Sequence, residues 1–146
     1  MEVIVIGPEP SCIRCQTALK RAKEAAQEFS NEVVVKKIAV DSEEARQYGW
    51  TESGHVIAEV EGVKHDHEKI QELRSKVEGE GSELKDAQLV NSVMEEIEKE
   101  ITMIKVTAKK RGYLMTPVVV INGKVKSAGE VPEKEELLKW MEAEFK

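Results

Sequence analysis

The two cysteines of this 146-residue sequence, Cys12 and Cys15, are separated by two residues and lie near the N-terminus. A disulfide across so short a loop removes little entropy from the unfolded chain, so a bridge made only for stability is a poor explanation. Two thiols at this spacing can open and close a ring, and a C-x-x-C pair is also half of many zinc sites. The pair therefore indicates either reversible dithiol chemistry or metal binding.

A predicted strand and a predicted helix flank the cysteine pair. Residues 2–6 form a β-branched run that ends at a glycine and a proline, and small or apolar residues recur at helical spacing after Cys15. Cys12 is therefore expected at a helix N-terminus, where unpaired N–H groups and the helix dipole stabilise a thiolate. Arg14 adds a nearby positive charge. We expect Cys12 to be the attacking thiolate, and Cys15, within the first turn and facing the core, to be the resolving thiol.

The rest of the chain divides into a βαβ start, a helical middle and a ββα end. A second strand is predicted over 33–40, and a strand–helix–strand unit of this length implies parallel pairing. An Asn-Gly pair between the runs 118–121 and 124–127 is typical of a hairpin. Pro132 and the acidic residues after it open a last helix in the favoured way.

The middle of the chain, from about 41 to 112, is predicted to be mostly helical. One helix is expected over 66–77, and a longer one over 82–110, where apolar residues alternate spacings of three and four. This seam either packs on its own domain or forms a homodimer through 83–110. Residues 55–61 fit a strand and a helical turn equally well.

The composition excludes several classes of partner. A formal net charge of -6 leaves no basic excess for nucleic acid or an anionic membrane surface. The longest apolar runs are far too short to span a bilayer, and the N-terminus lacks the basic start and long apolar stretch of an export signal. We expect a cytoplasmic protein with no nucleic-acid and no membrane partner.

Two stretches of the chain look like parts of a known family. Residues 35–50 (VKKIAVDSEEARQYGW) are similar to the second strand and following helix of a thioredoxin, and residues 111–125 (RGYLMTPVVVINGKV) to its proline loop and antiparallel strands. Together with the cysteine pair after a first strand, they make the sequence resemble the thioredoxin superfamily over about 1–50 and 111–146. The Gly-Pro-rich lead-in without a Trp looks closer to the small thioredoxin-like redox-active disulfide proteins of prokaryotes.

The resemblance implies an α/β, thioredoxin-like fold in a single domain over 1–146, with βαβ followed by ββα. A mostly helical insertion of about 51–110 would precede the cis-proline loop. In that family the proline is cis and faces the cysteines, so the position carried over is Pro117, with Thr116 before it. Such a bond would leave the preceding backbone free to pair with an extended substrate. Tyr113, just before the loop, is a further candidate for substrate contact.

The activity that the resemblance implies is thiol-disulfide oxidoreduction without a cofactor. The expected partners are a protein disulfide as substrate and a thiol or disulfide reductase as electron donor.

Three features depart from thioredoxins. Ser11 stands where a Trp usually precedes the first cysteine, and Ile13 and Arg14 replace the usual Gly-Pro. The first strand is apolar inside, so the buried acid that serves as base beneath the second cysteine is missing, and Glu9 is a weak substitute. We therefore expect resolution by Cys15 to be slow and to rise with pH.

Two other functions fit the same residues. In the first, Cys12 and Cys15 join two of His55, His65 and His67 in a metal-binding module, which the zinc content of the protein would test. In the second, the fold is a redox-inactive interaction module that presents its long helix, and a measured disulfide potential would separate it from an oxidoreductase.

Overall fold

The computed structural model describes residues 1–8, 12–29, 32–77 and 87–145. The strands within these residues are β1 (Glu2–Gly7), β2 (Val34–Ala39), β3 (Trp50–Glu52), β4 (Tyr113–Met115), β5 (Val118–Ile121) and β6 (Lys124–Ala128). The α-helices are α1 (Ile13–Ala26), α2 (Glu43–Arg46), α3 (Gly54–Glu61), α4 (His67–Ser75), α5 (Ala87–Arg111) and α6 (Lys134–Glu144).

Four strands form the main sheet, in the order β2-β1-β5-β6. Strand β1 runs parallel to β2 and antiparallel to β5, and β6 runs antiparallel to β5. The hairpin between β5 and β6 turns at Asn122 and Gly123, with φ angles of 50° and 78°. Asn-Gly favours this left-handed pair of residues. The predicted α/β fold, βαβ followed by ββα, is confirmed.

Strand β1 is apolar from Val3 to Ile6, and both faces of this stretch are buried. Val3 and Val5 pack against α1 and α6, whereas Ile4 and Ile6 lie in a second cluster with Ala45 of α2. Strand β1 is a central strand, and α1, the next element of the chain, begins beyond its C-terminal end.

Helix α5 buries the apolar seam that the sequence predicted. The inward residues are Val90, Val93, Met94, Ile97, Ile101, Ile104 and Ala108. They form one cluster with residues of α3 and α4, with Ile13 of α1 and with Met115 of β4. The seam therefore packs within the chain. The helix is continuous from Ala87 to Arg111, and the predicted residues 82–86 lie outside the described part.

The segment between β2 and α4 differs from its predicted form. The helix after β2 is a single turn, and Trp50, predicted at its end, instead begins β3, which pairs in parallel with β4. Residues 55–61 are helical, because Ser53 caps the N-terminus of α3 with a side-chain bond to the amide of Val56. The expected helix over 66–77 is present as α4, capped by Asp66. In the part of the chain that the structure describes, every helix is too short or too polar to cross a bilayer.

We predict that Ile97→Ala destabilises the protein by about 2–5 kcal/mol, because it removes buried methyl groups and leaves a cavity. Ile97 is only 3% exposed. The matched control is Met103→Ala on the same helix, where the side chain is 61% exposed and the change should stay within about 0.5 kcal/mol. Urea denaturation measures both.

Sedimentation equilibrium of the same proteins addresses the homodimer expected through 83–110, which stays a prediction. Intramolecular packing of the seam would be contradicted if the wild type were a dimer and Ile97→Ala dissociated it without lowering the stability of the monomer.

Candidate active site

Cys12 and Cys15 lie where the sequence predicted, at the start of α1. Cys12 is the N-cap residue and its carbonyl accepts the first helical hydrogen bond, from the amide of Gln16 at 2.9 Å. Cys15 is buried in the first turn, whereas Cys12 is half-buried, and both are free thiols. The two Sγ atoms are 3.4 Å apart. This geometry is that of a reduced pair whose sulfurs already touch.

The surroundings move the pKa values of the two thiols in opposite directions. The pKa of Cys12 falls from its ordinary value to about 6, mainly because the Cys15 thiol donates a hydrogen bond to its thiolate. Burial opposes this shift, and the backbone of Cys15 and the charges of Arg14 and Arg74 add to it. The same hydrogen bond, burial and the negative charge of Cys12 raise the pKa of Cys15. Near neutral pH the pair therefore holds one thiolate and one thiol.

Arg14, expected only as a nearby charge, is buried and has three partners. Its Nε donates to the Glu98 carboxylate of α5 at 2.8 Å. One terminal nitrogen donates to the carbonyl of Thr116 at 3.3 Å, and the other to the carbonyl of Gly129. The three nitrogens of the planar guanidinium reach three separate acceptors, whereas the donors of an ammonium all radiate from a single atom. The residue between the cysteines thus joins α1 to the loop after β4 and to α5.

The loop after β4 contains a cis peptide bond between Thr116 and Pro117. Both backbone groups of Thr116 already have partners within the chain. Its N–H donates to the carbonyl of Glu52 in β3 at 3.0 Å, and its carbonyl accepts from Arg14. The expectation that this backbone is free to pair with a substrate strand is therefore wrong, because β3 and Arg14 occupy it.

A cleft of about 410 Å³ opens beside the dithiol. Cys12 and Thr116 line one side, and Ile97 and Ile101 of α5 give it an apolar wall. Arg74 of α4 also lines it and contributes positive charge to Cys12. The predicted helical stretch thus supplies part of the site itself.

Tyr113 is not among the residues that line this cleft. Its side chain is 4% exposed, its hydroxyl donates to Glu61 at 2.9 Å, and its ring stacks on Trp50 with centroids 3.8 Å apart. The proposed substrate contact by Tyr113 has no support from this position. The residue instead fixes β3 and α3 against β4.

Two residues near Cys15 were not recognised in the sequence. Gly7 ends β1, and a Cβ added there would lie 2.9 Å from the Sγ of Cys15, so only glycine leaves room for the buried thiol. Lys37 of β2 donates to the carbonyl of Pro8 at 3.2 Å, and its charge lowers the pKa of Cys15. No sequence pattern around Lys37 points to the cysteine, whereas the glycine that ends the predicted first strand could have done so. Glu9, the suggested base, lies outside the described residues.

The three histidines line the same cleft as Cys12. Ligand atoms of His55, His65 and His67 lie within 4.8 Å of one another, and neither cysteine belongs to this group in the described part of the chain. The expected combination of both cysteines with two histidines is therefore not the one that the fold assembles.

A chain with this sheet order, a C-x-x-C pair at the start of the first helix and a cis-proline loop beside it has the architecture of a thioredoxin-like protein. The family model of a thioredoxin domain matches residues 82–142. Together with the fold, this match supports membership of the thioredoxin superfamily. The match omits the cysteines and includes α5, which lies within the predicted insertion of about 51–110. That insertion and its limits stay a prediction.

Searches of curated proteins and of solved structures give no significant match.

We predict that Arg14→Lys destabilises the reduced protein by about 1.5–3 kcal/mol, because a buried charge loses hydrogen bonds that an ammonium cannot replace together. Arg21→Lys is the matched control on the same helix. Arg21 is half-buried and lies 3.7 Å from the exposed Glu133 carboxylate, and it donates to the carbonyl of Pro132 at 3.2 Å and to the side chain of Asn91 at 3.4 Å. Its charge has an exposed partner, and such a pair contributes about 0–1 kcal/mol, so the loss should be smaller than for Arg14. Urea denaturation of both variants measures the difference, and equal losses would contradict the anchoring role of Arg14.

Proposed function

We propose that the chain is a thiol-disulfide oxidoreductase, with Cys12 as the attacking thiolate and Cys15 as the resolving thiol. The observation that carries the proposal is the pair of sulfurs 3.4 Å apart at the start of α1. A pKa of about 6 for Cys12 and a raised pKa for Cys15 divide the two roles between them. Such a site can attack a disulfide and then close its own.

The proposed reaction takes two exchanges. The Cys12 thiolate attacks one sulfur of a protein disulfide, an S–S bond to Cys12 forms, and the other substrate sulfur leaves with the electron pair. The Cys15 thiolate then attacks the Cys12 sulfur, which closes the Cys12–Cys15 disulfide and releases the second substrate thiolate. The substrate gains two electrons and two protons, and a thiol or disulfide reductase returns two electrons to the protein.

The first exchange also prepares the second. Two causes of the raised pKa of Cys15 are its hydrogen bond to Cys12 and the negative charge of Cys12. Both disappear when Cys12 enters a mixed disulfide, while the charges of Arg14 and Lys37 continue to favour the Cys15 thiolate. Loss of the Cys12 charge thus makes Cys15 easier to deprotonate, which partly compensates for the absence of a buried acid in β1 that could act as the base. Burial of Cys15 still opposes ionisation, so the expected rise of turnover with pH belongs to the proposal.

The substrate would be recognised by the cleft rather than by strand pairing at Thr116. Because the backbone of Thr116 is engaged by β3 and Arg14, an extended peptide cannot pair there without displacing them. The wall formed by Ile97 and Ile101 favours an apolar side chain next to the substrate disulfide. The proposal includes contact of the substrate with Thr116 and Pro117. It also includes a cytoplasmic location, where reductants keep thiols in the reduced form.

The test is reduction of a protein disulfide with dithiothreitol as the electron source. Wild type should accelerate it, and Cys12→Ser should remove the acceleration because the attacking sulfur is gone. The matched variant Cys15→Ser, incubated with the substrate without dithiothreitol, should instead accumulate a mixed disulfide through Cys12, seen as a mass increase that later addition of dithiothreitol reverses. Full activity of Cys12→Ser, or a mixed disulfide formed through Cys15, would contradict the proposed roles.

A further inference from the structure

The cleft beside the dithiol contains a second cluster of reactive side chains that the proposed redox reaction does not use. The chain has three histidines, and all three are in this cluster. The ring centroids of His55 and His67 are 4.5 Å apart, and His65 lies 5.9 Å from each of them. Three imidazoles from two helices and a loop thus converge on one place.

Local structure explains the convergence. His55 is in the first turn of α3, which ends at Gly62 with a left-handed φ of 69°, where a glycine is favoured. The chain then reverses, so that His65 returns to the start of α3. Asp66 caps α4 by accepting from the amide of Lys69, and His67 is the first residue of that helix. Side-chain caps at Ser53 and Asp66 fix the N-termini of α3 and α4, and they thereby fix the positions of His55 and His67 in the first turns.

The hydrogen bonds of two rings leave one nitrogen each for a ligand. Nδ1 of His65 lies 3.3 Å from the carbonyl of Val63, which selects the tautomer with the proton on Nδ1. Nε2 of that ring is buried and has no hydrogen-bond partner. A buried polar atom without a partner is costly, and a bound ion is one explanation for it. Nε2 of His55 lies 3.1 Å from the Glu59 carboxylate, so Nδ1 is the ring nitrogen of His55 that can bind a metal ion.

We propose that His55, His65 and His67 form a binding site for a divalent transition-metal ion, with Zn²⁺ as the ion that fits best. Neutral imidazole is a preferred Zn²⁺ ligand, and metal-bound histidines usually give their other ring nitrogen to a carboxylate or a backbone carbonyl. Glu59 and the carbonyl of Val63 supply those two partners.

The fourth position of a tetrahedral ion faces the cleft. Structural zinc sites fill all four positions with protein ligands, whereas three histidines leave one for water or another ligand. Because Cys12 and the histidines line the same cleft, a ligand on the ion would share that space with a molecule bound at Cys12. The site stands apart from the proposed redox reaction, so failure of the disulfide assay would leave it untouched.

The experiment is equilibrium dialysis of the reduced, tag-free protein against Zn²⁺, with the bound metal measured by mass spectrometry. We expect one Zn²⁺ per chain. Loss of an outer partner of a metal ligand typically weakens binding about 10- to 100-fold. His65→Ala and His67→Ala, which remove ligands, should therefore weaken it at least about 100-fold, and Glu59→Gln about 10-fold. Gln71→Ala, a cleft residue outside the cluster, is the matched control and should bind as wild type does.

Two further measurements keep the test independent of folding and of the thiols. Zn²⁺ should raise the Tm of wild type and of the double variant Cys12→Ser/Cys15→Ser, but not that of His67→Ala. His67 is exposed, so its replacement should leave the fold intact. Wild-type affinity in both histidine variants, loss of binding in the double cysteine variant, or no binding to wild type would each overturn the proposal.

Discussion

The guanidinium of Arg14 is buried between segments that are far apart in the sequence, and a buried charge is stable only where partners surround it. Glu98 of α5, the carbonyl of Thr116 and the carbonyl of Gly129 are those partners. Removing any one leaves part of the charge uncompensated, so the three segments keep a fixed place around the start of α1. This one side chain thus links the helix that carries the cysteines to α5 and to Thr116, which line the cleft beside them.

The helices α3, α4 and α5 bury an apolar cluster and also supply charged and metal-ligating side chains to the cleft. They bring Arg74, which favours the Cys12 thiolate, and the histidine cluster, which the four-stranded sheet does not supply. Strand β3 occupies the backbone of Thr116. The superfamily resemblance implied a backbone at Thr116 that is free to pair with a substrate. In this chain that backbone is engaged, and the dithiol instead faces a cleft lined by α4 and α5. Specificity would then come from side chains in that cleft.

Local patterns sufficed for the parts of the structure that are encoded locally. The apolar run of β1, the helix after the cysteines and the Asn-Gly hairpin each depend on neighbouring residues, so periodicity and turn preference identified them. The apolar pattern of residues 55–61 fitted a strand and a helix, and the N-cap at Ser53 stabilises the helix. Trp50 was misplaced because its strand exists through pairing with Tyr113, which is distant in sequence. The partners of Arg14 and the meeting of three histidines depend on tertiary contacts that no local pattern contains.

The central claim is that a hydrogen bond from Cys15 makes Cys12 a thiolate near neutral pH. Its most direct test is the rate of Cys12 alkylation as a function of pH, since only the thiolate reacts. In wild type the rate should rise with a midpoint near pH 6, the pKa of Cys12. Cys15→Ser keeps a donor and should stay close to that value, whereas Cys15→Ala removes it and should move the midpoint up by about 1 pH unit or more. A wild-type midpoint near the ordinary value of 9.0, or the same midpoint in Cys15→Ala, would contradict the account.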